Sequence, residues 1–340
     1  MSRIHIDQGV ISHWTKTVNE LKSSEVNKVS CLKSIPDIYP LNLSDFVNWL
    51  EELGKSGPKN LAWNTGLNYN FGERGVVGQV ILGSRTVGSA LSKVCEYFPL
   101  IQDNSILNLS VNDDVATLSY KILDPEIWPR HQDAMYSLGV YTGFLTRSAP
   151  DLWANLDIMF EAPLSAATSL VSEKIRHRIM YNQSTNVISF PASILEKPLL
   201  NPSKTPPSAI SYLSKCLVTK NKSMTMGARV RQLILESLET GPVRQEDIAS
   251  KVGMTSRTLR RRLTAEGLSF QHLLDECRMQ IVTFEFKTKK IISLTETALK
   301  LGYSEHSTFS RAFARWAGLS PQDYRKAIHQ GVPVGELKTP

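Results

Sequence analysis

The stretch Asp247-Ile-Ala-Ser-Lys-Val-Gly253 recurs as Glu296-Thr-Ala-Leu-Lys-Leu-Gly302, and this repeat decides the fold of the C-terminal third. In each copy a small alanine lets two helices approach closely, and the glycine accepts the positive φ that reverses the chain. An apolar pair four residues apart then follows, Leu259 with Leu263 in the first copy, and it buries one face of a second helix. Each copy is therefore predicted to fold as a helix-turn-helix.

The second helix of the first copy is predicted to be capped by Thr255 or Ser256 and to have one basic face. At ~100° per residue, Arg257, Arg260 and Arg261 point away from the leucine pair. Guanidinium groups suit bidentate contacts with guanine and contacts with phosphate. On a helix-turn-helix this pattern favours DNA contact, and the alternative is a solvated cationic face.

The second copy presents a less charged face. Opposite Phe309 lie Ser307, Ser310 and Arg311, with His306 at the edge of the same face. Hydroxyl groups suit phosphates or base edges, and Arg311 suits a guanine. His306 is predicted either to join this face or to line the wall of the core.

An apolar stripe at helical spacing predicts one linking helix between the two copies. The stripe consists of Phe270, Leu273, Leu274, Cys277, Ile281 and Phe284. A helix of about 17 residues spans about 26 Å. That length can hold two recognition helices in successive major-groove segments, which lie ~34 Å apart.

These motifs resemble the DNA-binding domain of the AraC/XylS transcription regulators. The resemblance covers residues 225–328 and includes the ending Ser320-Pro321-x-x-Tyr324-Arg325, where proline starts a final helix that Tyr324 packs down. It implies an all-α domain with two helix-turn-helix units that binds the major groove of double-stranded DNA. The base-reading residues that it implies, with Thr258 beside them, are Arg257, Arg260 and Arg261 in the first unit and His306, Ser307, Ser310 and Arg311 in the second.

The distribution of charge agrees with this interpretation. The chain has 39 basic and 32 acidic residues, a net charge of +7. Residues 1–220 hold equal numbers of the two kinds, so the whole excess lies after residue 220. A neutral part joined to a basic part indicates that only the basic part meets a polyanion.

Residues 1–200 are predicted to form an α+β domain for effector binding and dimerisation. Its predicted strands are residues 76–82, 106–111 and 116–123, and its predicted helices are residues 86–98, 133–146 and 166–181. A linker region follows at 201–224, with three prolines, a short helix at 209–219 and a polar run at 220–223. The DNA-binding domain then occupies 225–330, and 331–340 form a tail.

The N-terminal part is similar to the arabinose-binding-type regulatory domain of one branch of these regulators. The similarity rests on Phe71-Gly-Glu-Arg-Gly-Val-Val-Gly78, Ser84-Arg-Thr-Val-Gly88 and Tyr97-Phe-Pro-Leu100. It implies an effector-sensing module, although not every member binds arabinose. The glycines at 72, 75 and 78 lack the GxGxxG spacing, so we expect them to serve a tight turn and strand packing.

Four residues after Pro125 are candidates for binding the effector: Trp128, Arg130, His131 and Tyr136. Together they offer a polar handle beside aromatic walls, as small-molecule sites do. The alternative is that Trp128 and Tyr136 belong to the core and that Arg130 lies on the surface.

We therefore expect an effector-responsive transcription regulator, in this family most often an activator, that forms a homodimer through its N-terminal domain and contacts RNA polymerase. One alternative is an architectural or constitutive DNA-binding protein without an effector, although two hundred neutral residues exceed what bare binding needs. The other is an enzyme fused to a DNA-binding domain. The chain carries no GxxxxGK[ST], HExxH or GxSxG motif, and its seven histidines lack metal-ligand spacing. We expect no catalytic residue, metal or cofactor.

Composition indicates an ordinary globular chain of 340 residues, with 41% hydrophobic and 21% charged residues. No apolar run approaches ~18 residues, so we expect no membrane span. The first twenty residues show no secretory signal. The four cysteines form no CxxC pair, which argues against disulfides and zinc. A soluble cytoplasmic protein is expected.

Overall fold

The computed structural model describes residues 8–23, 41–58, 60–163, 178–199, 202, 204–238, 241–288 and 293–330. By its internal contacts the chain divides into two compact units, residues 1–220 and 221–340. Within the described ranges, no helix has both the length and the hydropathy that crossing a membrane requires.

The first unit combines helices with one small sheet. Its helices are α1 (Gln8–Ser23), α2 (Leu43–Ser56), α3 (Leu61–Leu67), α4 (Gly75–Leu82), α5 (Val87–Tyr97), α6 (His131–Ser148) and α7 (Pro207–Ser223). Its strands are β1 (Ser105–Asn112), β2 (Val115–Ile122), β3 (Asp157–Met159), β4 (Ile179–Met180) and β5 (Asn186–Pro191). The strand order is β1-β2-β5-β3-β4, and all neighbouring pairs are antiparallel except β3 and β4. The predicted α+β class is confirmed.

Helix α6 is the centre of this unit, and glycines bring α3 against it. A Cβ atom on Gly66 of α3 would lie 2.3 Å from the carbonyl oxygen of Tyr136, and one on Gly139 of α6 would lie 2.6 Å from that of Trp63. Only glycine permits such an approach of two backbones. Thirteen of the 18 residues of α6 are buried, so the helix is enclosed on nearly all sides.

Three predicted elements of the first unit are corrected. Residues 76–82 form helix α4 rather than a strand, because a short apolar run does not distinguish the two by period. A positive φ of 56° at Gly75 starts this helix, and Gly78 packs against the carbonyl of Phe71 instead of against a strand. The predicted helix at 166–181 lies mostly outside the described residues, and its end forms strand β4.

The third correction concerns the predicted polar linker. Residues 220–223 continue helix α7, which runs to Ser223. The ammonium group of Lys220 donates to the carbonyl of Pro99 and to the carboxylate of Asp103. These contacts hold the polar run in helical form, although its composition favours a break.

The second unit is helical in all of its described elements, as predicted. They are α8 (Met226–Leu238), α9 (Gln245–Lys251), α10 (Ser256–Ala265), α11 (Phe270–Thr288), α12 (Leu294–Lys300), α13 (His306–Ala317) and α14 (Pro321–His329). Helix α11 is the predicted linking helix, and its 19 residues span about 28 Å.

The end of the second unit packs as its sequence predicts. Pro321 occupies the first turn of α14, and the side chain of Ser320 caps that helix by accepting from the amide of Asp323. Tyr324 is fully buried against the rings of Phe286 and Phe313. These rings fasten the final helix to the linking helix and to α13.

Candidate DNA-binding interface

The two turns of the second unit have the same backbone geometry. Gly253 and Gly302 adopt φ angles of +69° and +83°. In the first turn the amide of Met254 donates to the carbonyl of Ala249 at 2.9 Å. In the second turn the amide of Tyr303 donates to the carbonyl of Ala298, also at 2.9 Å. Both predicted helix-turn-helix units are thereby confirmed.

Helix α10 is held at its start by a side-chain cap. The hydroxyl of Thr255 accepts from the amide of Thr258 at 3.2 Å, so Thr255 rather than Ser256 is the N-cap. The two threonine hydroxyls lie 3.0 Å apart. The side chain of Thr258 is therefore placed at the first turn of the helix, beside its unpaired backbone amides.

One face of α10 is buried and the other is strongly basic. Leu259 and Leu263 are fully buried. Arg257, Arg260 and Arg261 are exposed, and their guanidinium groups form no ion pair or hydrogen bond with any part of the chain that the structure describes. Such a face is not stabilised by the fold itself, because like charges repel.

Helix α10 carries one further arginine, which was not among the predicted DNA-binding residues. Arg262 is also exposed, on the flank of the basic face. The signal was present in the consecutive arginines at 260, 261 and 262, because a period of ~100° places Arg260 and Arg262 at equal angles on the two sides of the leucine pair, with Arg261 opposite it.

Helix α13 carries a face with less charge. Arg311 is exposed, whereas the hydroxyl of Ser307 donates to the Glu305 carboxylate at 3.2 Å. The Ser310 hydroxyl lies 3.4 Å from Nε2 of His306. The His306 ring is half-buried, with its centroid 6.5 Å from that of Phe309, so it borders both the core and the exposed face.

Arg278 of the linking helix positions the second turn. Its Nε donates to the carbonyl of Leu301 at 3.1 Å, and its Nη1 donates to the hydroxyl of Tyr303 at 3.2 Å. The guanidinium also lies 4.6 Å from the centroid of the Tyr303 ring. These contacts tie the turn before α13 to α11.

Two carboxylates anchor the remaining helices, and sequence reasoning missed both. Glu285 of α11 is buried and accepts from the ammonium of Lys300 at 2.8 Å, which fastens α12. Glu266, at the end of α10, accepts from the amides of Met226 and Gly227 at 2.7 and 2.8 Å. A carboxylate at the start of α8 is favoured by the helix dipole. The signal for Glu285 is its place between two phenylalanines.

Among the predicted effector residues, Arg130 is part of a buried ion pair. Its Nε and Nη2 each donate to the carboxylate of Glu161 at 2.9 Å, and its Nη1 donates to the carbonyl of Ile122 at 2.8 Å. The residue is 3% exposed, so the alternative that placed Arg130 on the surface is wrong.

The other three candidates do not all lie together. The rings of Trp128 and His131 meet edge to face at 4.8 Å beside Arg130, and burial lowers the pKa of His131 to about 4. Tyr136 instead packs on α1, with its ring 5.1 Å from that of Trp14 and 6.4 Å from that of His13. Three of the four are therefore brought together and the fourth is placed elsewhere.

Each unit matches a known family of domains. The model of a helix-turn-helix domain matches residues 248–327. The model of the N-terminal arabinose-binding domain of AraC transcription regulators matches residues 49–199. The chain belongs to the AraC type of transcription regulators. It is accordingly a DNA-binding regulator whose first unit senses an effector.

Similar proteins include other regulators of this type. This AraC-type chain is 26% identical over 270 residues to the ornithine utilization regulator of Pseudomonas aeruginosa, covering 77% of each chain. It is 26% identical over 294 residues to the regulator VqsM of the same species, covering 83% of this chain and 88% of that one. Over 102 residues it is 39% identical to VirS of Mycobacterium tuberculosis, covering 30% and 29% of the two chains.

Proposed function

We propose that this AraC-type regulator reads a specific DNA sequence through the exposed faces of α10 and α13, each placed in a major groove. The observation that supports this most directly is the set of unpaired guanidinium groups of Arg257, Arg260 and Arg261, opposite two fully buried leucines. Guanidinium groups in this position suit guanine edges in the groove.

The remaining predicted residues take different parts in this proposal. Arg311 reads a base from α13, with His306 and Ser310 next to it on the same helix. Thr258 and Ser307 lie in the first turn of their helices, where hydroxyl groups and backbone amides suit a phosphate. The second helix therefore depends more on hydroxyl groups than on charge.

The test compares two arginines of one helix. A binding site is first selected from a random DNA library with the wild-type chain, and Arg261→Ala and Arg262→Ala are then titrated on selected and on random DNA. Arg261 lies farthest from the buried leucines, so its loss should cost roughly 1–3 kcal/mol on the selected site and relax the base preference there. Arg262→Ala should weaken both DNAs alike. Equal losses on both DNAs for Arg261→Ala would reduce that residue to a phosphate contact.

We further propose that the chain forms a homodimer through residues 1–200 and activates transcription through RNA polymerase. One chain carries two dissimilar recognition helices, so a palindromic site requires a second copy. A fragment of residues 225–340 should sediment as a monomer and bind the selected site more weakly than the full chain, because avidity is lost. A dimeric fragment would move the interface to the second unit. A cytoplasmic location and the lack of an enzymatic activity stay predictions.

A further inference from the structure

Two neighbouring residues of the linking helix α11, Asp275 and Arg278, contact helix α13 at both of its ends. In the turn that leads into α13, Arg278 donates to the carbonyl of Leu301 at 3.1 Å and to the hydroxyl of Tyr303 at 3.2 Å. Near the end of α13, the guanidinium of Arg315 lies 3.3 Å from the carboxylate of Asp275. One turn of α11 therefore holds the whole length of the second recognition helix.

The ring of Tyr303 extends the contact of Arg278 along α13. Its centroid lies 5.8 Å from that of Phe309 and 6.2 Å from that of Trp316, and these two residues are about two turns apart on the helix. The Arg278 guanidinium lies 4.6 Å from the centroid of the same ring, which is a cation–π contact. Because the ring contacts both helices, it opposes a tilt of α13 against α11.

The two anchoring side chains are themselves fixed on α11. The side chains of Arg278 and Asp275 are only 11% and 15% exposed, and Nη1 of Arg278 lies 3.7 Å from the Asp275 carboxylate. The side-chain amide of Gln271 donates to that carboxylate at 2.9 Å. A guanidinium loses less conformational freedom for each hydrogen bond than an ammonium does, so it suits a fixed orientation. Asp275 therefore joins the anchors at the two ends of α13 into one network.

Helix α10 has no comparable polar contact with the linking helix. Within the part of the chain that the structure describes, no hydrogen bond or ion pair joins α10 to α11. At the end of α10, the carboxylate of Glu266 accepts instead from the amides of Met226 and Gly227 at the start of α8. The polar contacts that orient the two recognition helices are therefore different, and only α13 is fixed directly on α11 by them.

We propose that Asp275 and Arg278 are positioning residues that fix the spacing between the base pairs read by α10 and those read by α13. The inference rests on the proposed reading of DNA by both helices. One inserted base pair moves the second group of base pairs by about 3.4 Å along the duplex and by about 35° around it. A helix α13 that is held at both ends does not follow this movement, so the chain discriminates against DNA with the wrong spacing.

The spacing is tested by titrating the full chain on the selected DNA and on shifted sites. Arg261→Ala and Arg311→Ala first mark the base pairs that each helix reads, and one base pair is then inserted or deleted between the two groups. The wild-type chain should bind the shifted sites about tenfold more weakly than the selected site or worse, because one helix loses its base contacts. Arg278→Lys keeps the charge but lacks the forked donors, so this ratio of dissociation constants should fall to about threefold or less.

Two further variants separate positioning from a general loss of stability. Asp275→Asn removes the charge that holds Arg315 and leaves Arg278 on the turn, so its ratio should lie between those of the wild type and Arg278→Lys. Arg231→Lys is the matched control, because Arg231 forms a 2.7 Å ion pair between α8 and Glu276 of α11 that a lysine can keep. Its ratio should equal the wild-type ratio. A merely destabilised unit has less active protein and weakens the binding of both DNAs alike, so it leaves the ratio unchanged.

The outcomes distinguish this inference from the proposed function. Ratios in Arg278→Lys and Asp275→Asn as large as the wild-type ratio would overturn the inference, and the two marked groups of base pairs would leave the reading by both helices standing. An equal fall of the ratio in Arg231→Lys, or a wild-type chain that tolerates the inserted base pair, would overturn it as well. If Arg311→Ala changes no base preference, the proposed function fails for α13, and the inference fails with it.

Discussion

Replacing Gly302 by alanine should destabilise the second helix-turn-helix more than the matching replacement of Gly253 destabilises the first. Both glycines have left-handed φ angles, +83° and +69°, so each alanine carries a similar backbone strain of about 1–2 kcal/mol. The space around them differs. A Cβ on Gly302 would lie 3.3 Å from Cα of Pro242, whereas nothing lies within 4 Å of a Cβ on Gly253.

The contact with Pro242 sets the difference between the two variants. Carbon atoms pack best at ~3.5–4.0 Å, and a proline backbone does not rotate away as a flexible side chain does. Overpacking of this kind costs roughly 1–3 kcal/mol. We therefore expect a loss of about 1–2 kcal/mol for Gly253→Ala and about 2–5 kcal/mol for Gly302→Ala, the second being the sum of the strain and the contact.

Hydrogen exchange measures these losses locally in the full chain. Peptides from α12 and α13 should lose protection in Gly302→Ala, and peptides from α9 and α10 should lose less in Gly253→Ala. Titration of the selected DNA would then show the larger loss of affinity for Gly302→Ala. Equal changes in the two variants would refute the role given to Pro242, and unchanged protection in both would refute the strained turns.

Two further predictions concern buried charges in the first unit. Glu161→Gln leaves the guanidinium of Arg130 buried beside a neutral group, so the free energy of unfolding measured in urea should fall by about 3–5 kcal/mol. Asp157→Asn breaks the ion pair with Arg178, whose two side chains are 38–40% exposed, and should lower the free energy of unfolding by about 1 kcal/mol or less. Similar losses of unfolding free energy in Glu161→Gln and Asp157→Asn would contradict the difference expected between a buried and an exposed ion pair. Burial raises the pKa of Asp133 to about 7 in the folded protein, whereas in the unfolded chain the carboxyl ionises near its ordinary pKa of about 4. Between these values the folded state keeps a proton that the unfolded state loses, so stability should fall as the pH rises from about 4 to about 7. Asp133→Asn should flatten that fall in urea titrations at several pH values; an unchanged slope would assign it to other groups.

The second unit could be predicted from sequence because its signals are local. The alanine and glycine of each repeat act within one turn, and the buried pairs Leu259 with Leu263 and Phe309 with Phe313 act within one helix. Local propensity, period and turn chemistry all agree there. For the same reason the sequence alone predicts the basic face of α10.

The first unit was harder because its decisive contacts join distant residues. Arg130 pairs with Glu161, which lies 31 residues later, and no spacing rule connects the two. The run at 76–82 forms a helix although its apolar composition also suits a strand, and the Phe71 carbonyl approaches Gly78 so closely that no Cβ would fit there. The ring of Tyr136 likewise contacts residues that are distant in the sequence, since it completes an aromatic cluster with α1.

The two recognition helices, α10 and α13, differ in the contacts that fix their position and in the number of unpaired arginines that they expose. We therefore expect them to contribute differently to the affinity for DNA. Helix α10 has a threonine cap and four exposed arginines, none of them paired within the described residues. On α13 the exposed Arg311 is unpaired in the same sense, whereas Arg315 lies 3.3 Å from the carboxylate of Asp275. Each phosphate neutralised by a free guanidinium adds to the salt dependence of binding. If both proposed faces meet DNA, most of the electrostatic part of the affinity therefore comes from α10. Helix α13, whose turn is fixed by Arg278, contributes to DNA binding chiefly through its fixed orientation and its hydrogen bonds.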